Sequence, residues 1–326
     1  MKSILYTSVL CLSLSVCQAF VAPTGSVVSL KSVPEIRGGS QLPSTALPEV
    51  VTTVSSFLST NLQSGPLGVV ALISVAASVC VPITQVKNLY GISVGYGAAV
   101  AAIGLTLRTV FGPVSGGLGD LLTQATMFYG ARLAGYLLLR DYTSWKKLGA
   151  GREEPARLKR VPFALSLAIF YAFMTTPVLY ALRHYQGAAM WQTYVSWAGT
   201  GMAWTGALLE MAADSQKYIV KQRAGEEGNN IFQGPSDGVY SLTRHPNYTG
   251  EVVFWFGTWL AGVPYFGRSV VAWLCSTAGM VGIVSIMRQA TKGLEDKQAE
   301  RYGGQEAYEE WKSQVSSPLF PFVKKI

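Results

Sequence analysis

The 326-residue chain has little charge: 13% of its residues are Asp, Glu, Lys or Arg, whereas 49% are hydrophobic. Soluble domains average about 25% charged residues. A deficit of this size over so long a chain argues against a soluble globule and favours a polytopic membrane protein.

Histidine and cysteine are also scarce, with two and four residues. Membrane di-iron enzymes need many histidine ligands, and zinc sites need clustered cysteine or histidine. The sequence therefore predicts no metal site. The cysteines lie within apolar runs, which predicts buried free thiols rather than a disulfide framework. They are Cys11, Cys17, Cys80 and Cys275.

The first 65 residues have the composition of a targeting region. Residues 1–19 contain Lys2, an apolar stretch and a small-polar end, which predicts a signal peptide. Residues 20–65 are rich in Ser and Thr and poor in acidic residues, which predicts a transit-peptide-like or disordered linker. Together they resemble the bipartite plastid-targeting leader of algae with secondary plastids. A plastid membrane is the favoured location, and an ordinary secretory signal leading to the endoplasmic reticulum is the alternative.

Seven apolar runs follow, each close to the ~20 residues that span a bilayer. They are too long and too uniform for strands. We therefore expect residues 66–326 to form an all-α, polytopic membrane helix bundle with about six to seven transmembrane helices. The runs are 67–84, 91–110, 117–139, 161–183, 189–211, 250–266 and 268–287.

Basic residues support this topology. They concentrate in the connections 140–160 and 214–249, after Met287, and at Lys87. With seven helices, all of these fall on one side of the membrane, as the positive-inside rule requires. Basic connections on one side of a lipid bilayer, the expected partner, account for the net charge of +8. We therefore expect no nucleic-acid binding.

Ionisable residues within apolar helices are functional candidates, because burying a charge in a membrane is costly. Arg108, Arg132 and Glu210 meet this condition. Arg108 lies near a helix end, where its long side chain can reach the membrane surface, so a structural role is the better explanation. For Arg132 the structural alternative is pairing with a carboxylate. Glu210, Asp214, Lys217 and Lys221 follow at helical spacing and form one stripe, with ion pairing along the helix as the alternative explanation.

The densest polar cluster is 238–251. Pro246 suits the first turn of a helix, so the amide groups of that turn, together with Arg244, suit a phosphate. Asn247, Glu251 and Trp255 recur every four residues and share one helix face. A helix cap at the membrane interface is the alternative interpretation.

The cluster also resembles a known signature. Gly238-Val239-Tyr240, Arg244-His245-Pro246-Asn247-Tyr248 and Gly250-Glu251 resemble the motif of steroid 5-alpha-reductase-like membrane reductases, especially the branch long catalogued as of unknown function. The resemblance covers most of residues 70–326. It extends to Arg132–Arg140, Glu210–Lys217, Glu295–Tyr302 and Ser317–Phe322.

The resemblance implies that NADPH is held by the C-terminal part, about 205–326. The implied or neighbouring cofactor-binding residues are Glu210, Asp214, Lys217, Arg244, His245, Asn247, Tyr248, Glu251 and Tyr302. The same pattern resembles isoprenylcysteine carboxyl methyltransferases, which makes S-adenosylmethionine the alternative cofactor.

The expected function is NADPH-dependent reduction of a C=C bond in a lipid such as a sterol, isoprenoid or acyl-type substrate. Lys217, Lys221 and Arg244 would hold phosphates, and Tyr136 and Tyr248 are candidate proton donors. Residues 67–140 contain no match to the Glu and Tyr that polarise the substrate carbonyl in steroid reductases. A non-catalytic membrane protein therefore stays as an alternative. The resemblance of the C-terminal pattern to the methyltransferases keeps a second alternative, methyl transfer to an apolar or prenylated acceptor.

Overall fold

The computed structural model describes residues 46–112, 117–143, 151, 153–224 and 231–320, with side chains from residue 51 onward. Within these ranges all regular structure is helical. The α-helices are α1 (Ala46–Gln63), α2 (Gly68–Val86), α3 (Val94–Phe111), α4 (Leu118–Thr143), α5 (Arg157–His184), α6 (Met190–Ala224), α7 (Pro246–Gly262), α8 (Val270–Tyr302) and α9 (Glu306–Gln314).

Helices α2 to α8 coincide with the seven apolar runs, and the all-α membrane bundle is confirmed. By length and composition, α2, α3, α5 and α8 are able to cross a membrane. Helix α7 is shorter, at 17 residues. Helices α4 and α6 carry the charged residues Arg132, Glu210 and Asp214, which lower their mean hydropathy.

The ends of the helices meet in the alternating order that the basic residues predict. On the charged side, Lys87 after α2 pairs with Asp141 of α4 at 3.5 Å. There Arg160 at the start of α5 donates to the Thr84 carbonyl at the end of α2 (3.1 Å). On the opposite side, Gln192 at the start of α6 donates to the Pro264 carbonyl after α7 (2.7 Å).

Glycines bring α6 and α7 into direct backbone contact. A Cβ built on Gly206 would lie 2.3 Å from the Phe254 nitrogen, and one on Gly250 would lie 2.6 Å from the Glu210 nitrogen. No side chain fits at such separations, and small residues are what allow membrane helices to approach this closely. The contact places Glu210 and Glu251 on neighbouring turns of the two helices.

Helix α1 lies in the stretch where composition predicts a linker, and the structure differs from that prediction over Ala46–Gln63. Leu58 and Leu62 are buried against the bundle, and Arg183 of α5 donates to the Leu62 carbonyl (2.8 Å). The spacing of four residues between Leu58 and Leu62 is typical of a helix, but the Ser and Thr around them gave this stretch the composition of a linker. The predicted signal peptide and residues 20–45 lie outside the described residues.

Candidate cofactor site

A cavity of about 700 Å³ opens at the charged end of the bundle. Its size suits a large organic ligand, since ligand pockets occupy roughly 300–1,000 Å³. Its walls come from the ends of α6 and α8, the segment 231–245 and α9. The lining residues are Lys217, Lys221, Phe232, Gly234, Pro235, Tyr240, Arg244, His245, Leu294, Lys297, Gln298, Glu300, Arg301, Tyr302 and Trp311.

The cavity has a strongly basic lining. Five cationic side chains border it, whereas Glu300 is the one carboxylate among the described lining residues. Within the described part of the chain, only one of the five cations, Arg244, forms an ion pair. The four others are Lys217, Lys221, Lys297 and Arg301. Such a surface attracts a multiply charged anion.

Arg244 is held by protein groups. Its Nε lies 3.0 Å from Glu295 Oε1, its Nη2 lies 2.6 Å from Glu295 Oε2, and its Nη1 donates to the Val315 carbonyl (2.6 Å). The sequence predicts that Arg244 binds phosphate directly. In the structure the donors of its guanidinium are bound to Glu295 and to the Val315 carbonyl. Arg244 therefore ties α8 and the C-terminal segment together at the inner end of the cavity, which is called its floor below.

His245 shares the same carboxylate. Its Nε2 lies 2.7 Å from Glu295 Oε1. Burial lowers the pKa of His245, against the opposing influence of Glu295. The lowered pKa favours the neutral imidazole, in which Nε2–H is the donor to the carboxylate.

The C-terminal segment braces the start of α7. The Arg244 and His245 amides donate to the carbonyls of Ser317 (3.0 Å) and Pro318 (3.1 Å). The Thr249 hydroxyl donates to the Leu319 carbonyl. The amides of Arg244 and His245 are consequently bound to protein. Within the first turn of α7, where the sequence predicts an anion site, the amides of Tyr248 and Thr249 donate to the His245 carbonyl (3.0 and 3.1 Å).

An aromatic cluster forms one wall. Phe232 stacks on Trp311 with ring centroids 5.1 Å apart, and it contacts Tyr302 and Tyr308 edge-on. Lys221 lies over the Tyr302 ring at 5.7 Å. Tyr302 is thus placed at the cavity, as the resemblance implies, and its ring is fixed by packing.

Below the cavity lies a buried ion cluster. Arg132 Nη2 lies 2.8 Å from Glu210 Oε1, and Arg132 Nη1 donates to Asp214 Oδ2 at 2.7 Å. The structural pairing considered for Arg132 is therefore present. Lys217, one turn beyond Asp214 on α6, reaches the cavity, and burial lowers its pKa to about 8 against the opposing effect of Asp214.

A second buried network lies beside it in the bundle. Tyr96 of α3 donates to Glu251 Oε1 of α7 (2.9 Å) and accepts from Trp255 Nε1 (2.6 Å). The Tyr129 hydroxyl of α4 lies 3.1 Å from that of Tyr96. Glu251, predicted to bind cofactor, is here the partner of a tyrosine from the N-terminal half.

The other predicted residues lie closer to the charged face. Tyr248 stacks on His245 with ring centroids 5.9 Å apart. Tyr136 contacts the ring of Tyr218 edge-on at 6.4 Å. The Asn247 Oδ1 is buried and has no hydrogen-bond partner among the described residues.

Sequence reasoning missed Tyr96 and Tyr129 as site residues. Each is a tyrosine inside an apolar run, and a buried hydroxyl requires a partner. That signal was available in the sequence for both residues. Lys297 and Arg301 were seen only as part of the tail resemblance, although their spacing of four places both on one face of α8.

Fold and site together define an α-helical membrane bundle with a cavity of basic lining at its charged end. The chain matches the family described as "Protein of unknown function (DUF1295)" over residues 84–315, and it belongs to that family. The family is associated with steroid 5-alpha-reductase-like proteins. Neither a curated protein nor a solved structure matches the chain. Within the described residues, no group of three His, Cys, Asp or Glu side chains is arranged to hold a metal.

Proposed function

We propose that the protein is a membrane-embedded, NADPH-dependent reductase of a C=C bond in a lipid. The observation that carries this proposal is the cavity of about 700 Å³ bordered by four cations without an ion-pair partner among the described residues. NADPH is large and multiply anionic, and a cavity of this volume and charge complements it.

Charge also separates the candidate cofactors. A phosphate monoester carries about −1.5 to −2 charges at pH 7, so the 2′-phosphate adds about two charges to the dinucleotide. NADPH therefore complements four cations better than NADH does. S-adenosylmethionine carries a sulfonium cation and is net positive, which makes it a poor match for Lys217, Lys221, Lys297 and Arg301.

The position of the polar core supports a reductase. Helix α6 leads from Lys217 at the cavity to Glu210, about 10 Å along the axis at 1.5 Å per residue. Helix α7 leads from His245 to Glu251 in the same direction. We propose that a ligand bound by the cations extends along these two helices toward the buried carboxylates and tyrosines.

NADPH would supply a hydride, and the chain would supply binding, orientation and a proton. Lys221, Lys297 and Arg301 would bind its phosphates at the mouth of the cavity. The helix bundle excludes water and admits an apolar substrate from the bilayer. In the buried network, the Tyr96 hydroxyl donates to Glu251 and accepts from the indole N–H of Trp255. We propose Tyr96 as the proton donor in addition to Tyr248 and Tyr136.

Ligand-dependent thermal stabilisation of the detergent-purified protein tests the cofactor. NADPH at a hundred times its dissociation constant should add about 2.7 kcal/mol to the unfolding free energy. NADH and S-adenosylmethionine at the same concentrations should stabilise much less. Stabilisation by S-adenosylmethionine alone would support the methyltransferase, and the absence of any effect would support a non-catalytic protein.

Consumption of NADPH in the presence of apolar, α,β-unsaturated carbonyl compounds tests the reaction. Tyr96→Phe should lower kcat about 10²–10⁴-fold if it removes the proton donor. Tyr194→Phe is the matched control, because Tyr194 is exposed at the start of α6. Loss of activity in Tyr248→Phe or Tyr136→Phe, with Tyr96→Phe fully active, would assign the proton to one of those residues instead.

We further propose a plastid membrane as the location, on the composition of residues 1–65. A fluorescent protein fused after residue 65 should reach the plastid of an alga with a secondary plastid. Accumulation in the endoplasmic reticulum would favour the ordinary secretory signal.

A further inference from the structure

Two polar atoms of the cavity-lining residues have no hydrogen-bond partner among the residues that the structure describes. They are Nε1 of Trp311 and Oε1 of Gln298, and both atoms are buried. Trp311 is 4% exposed. Leaving a buried donor or acceptor unpaired costs about 1–3 kcal/mol, so native structures rarely do it without a reason. These two atoms differ from the other unpaired buried atoms in belonging to residues that line the cavity, where a ligand would supply partners.

Both residues lie at the mouth of the cavity, among its outer cations. Gln298 lies on α8 between Lys297 and Arg301, and it follows Glu295 by three residues. Since Glu295 holds His245 at the floor, Gln298 is about 4.5 Å farther out along the helix. Trp311 lies on α9, outside the bundle, where its stacking on Phe232 fixes the orientation of the indole.

The two atoms require a partner with both a donor and an acceptor. The indole N–H donates only, whereas Oε1 of Gln298 accepts. Phosphate oxygens accept, so they cannot donate to Oε1 of Gln298. The edge of adenine offers an amino donor beside ring-nitrogen acceptors, and glutamine recognises that edge in nucleic-acid complexes.

We propose that Gln298 and Trp311 form the adenine subsite of the cavity. Gln298 accepts from the amino group of the base, and Trp311 donates to a ring nitrogen. This inference rests on the proposed function and gives the cofactor a direction. The adenosine and its phosphates lie at Lys297 and Arg301, and the reacting ring points toward Glu210 and Glu251.

The subsite is tested by measuring how the two halves of NADPH, 2′,5′-ADP and reduced nicotinamide mononucleotide, bind to the full-length, detergent-purified protein. The variants are Trp311→Phe, which keeps an aromatic ring and removes the N–H, and Gln298→Leu. Isothermal titration should show that each raises the Kd of 2′,5′-ADP about tenfold, the value of one hydrogen bond with its unsatisfied partner. The Kd of reduced nicotinamide mononucleotide should stay unchanged.

Matched controls separate recognition from folding. Trp191→Phe makes the same substitution at an exposed tryptophan on α6, and Gln314→Leu does so at an exposed glutamine on α9. Both should bind 2′,5′-ADP as the wild type does. The ligand-free melting temperature of each variant is measured alongside, and Gln298→Leu carries the test if Trp311→Phe fails to fold.

The outcomes distinguish the two proposals. If the wild type binds 2′,5′-ADP and both variants bind it equally well, the adenine subsite is wrong while the reductase stands. A selective loss of nicotinamide mononucleotide binding would also overturn it, because these residues would then contact the other end. If the wild type binds S-adenosylmethionine and not NADPH, and both variants weaken that binding, the adenine subsite stands and the reductase is wrong.

Discussion

The cations of the bundle core and those of the cavity are arranged in opposite ways. In the core, Arg132 contacts two carboxylates, Glu210 and Asp214. At the cavity, Lys297 and Arg301 have no ion-pair partner among the described residues, although Glu300 lies between them in sequence. A buried charge must be compensated by the protein itself. A charge at a cavity rim is compensated by water until an anionic ligand replaces it.

This difference separates residues that hold the fold from residues that bind. Arg244 shows the value of the distinction. Its motif suggests phosphate binding, yet its contacts with Glu295 and Val315 resemble those of Arg132. We therefore propose ligand binding for the cavity cations that form no ion pair among the described residues, and positioning for the paired ones.

Removing a paired cation should give the largest effect. Arg132→Met leaves Glu210 and Asp214 buried without their counter-ion, which should cost about 3–5 kcal/mol of unfolding free energy. Arg301→Met should change stability by about 0.5 kcal/mol or less. Thermal unfolding in detergent measures both, and equal effects of the two substitutions would erase the distinction.

The backbone contact that aligns the two regions should rank next. Gly206→Ala forces a methyl group to within 2.3 Å of the Phe254 nitrogen, so α6 and α7 must separate at a cost of about 1–3 kcal/mol. Gly201→Ala on the same helix has no neighbour within 4 Å and should be neutral or slightly stabilising. A Gly206→Ala protein as stable as Gly201→Ala would contradict the tight contact.

Removing unpaired cations should affect binding and spare stability. The double variant Lys297→Ala/Arg301→Ala should weaken NADPH binding roughly tenfold to a hundredfold, because charge-assisted hydrogen bonds contribute about 1.5–3 kcal/mol. NADH binding should change much less. The control Lys292→Ala/Lys312→Ala removes the same charge from residues outside the cavity lining. An equal loss of NADH affinity would show that Lys297 and Arg301 do not bind the 2′-phosphate.

Lys217 lies between the two regions and gives the smallest, pH-dependent effect. Burial lowers its pKa from 10.5 to about 8, so the ammonium loses its proton as the pH rises through that value. NADPH affinity should therefore fall a few-fold between about pH 7 and pH 9. In the absence of ligand, the unfolded chain binds more protons between the two pKa values, so stability should rise with pH over that window.

Lys217→Arg is the sharpest check on this residue, because arginine stays charged throughout the range. Its NADPH affinity should be flat between about pH 7 and pH 9. A decline identical to that of the wild type would assign the pH dependence to another group.

Much of the fold was predictable because apolar length and charge asymmetry act locally in sequence. Helices α2 to α8 follow from runs such as 67–84 and 268–287. The cavity position was partly predictable from Lys217 and Arg244. The partners of the buried polar side chains could not be predicted, because they are far apart in sequence. Glu295 and Arg244 are 51 residues apart, and Tyr96 and Glu251 are 155 residues apart. Only the packed bundle determines which polar groups meet.

The carbonyls of residues 315–319 accept hydrogen bonds from Arg244, His245 and Thr249, and this has a consequence for truncation of the chain. A proteolytic cut before Val315 would leave helices α2 to α8 whole and would remove the hydrogen bonds that hold Arg244 and His245 in the cavity wall. The expected product is a helical bundle with a loosened cavity.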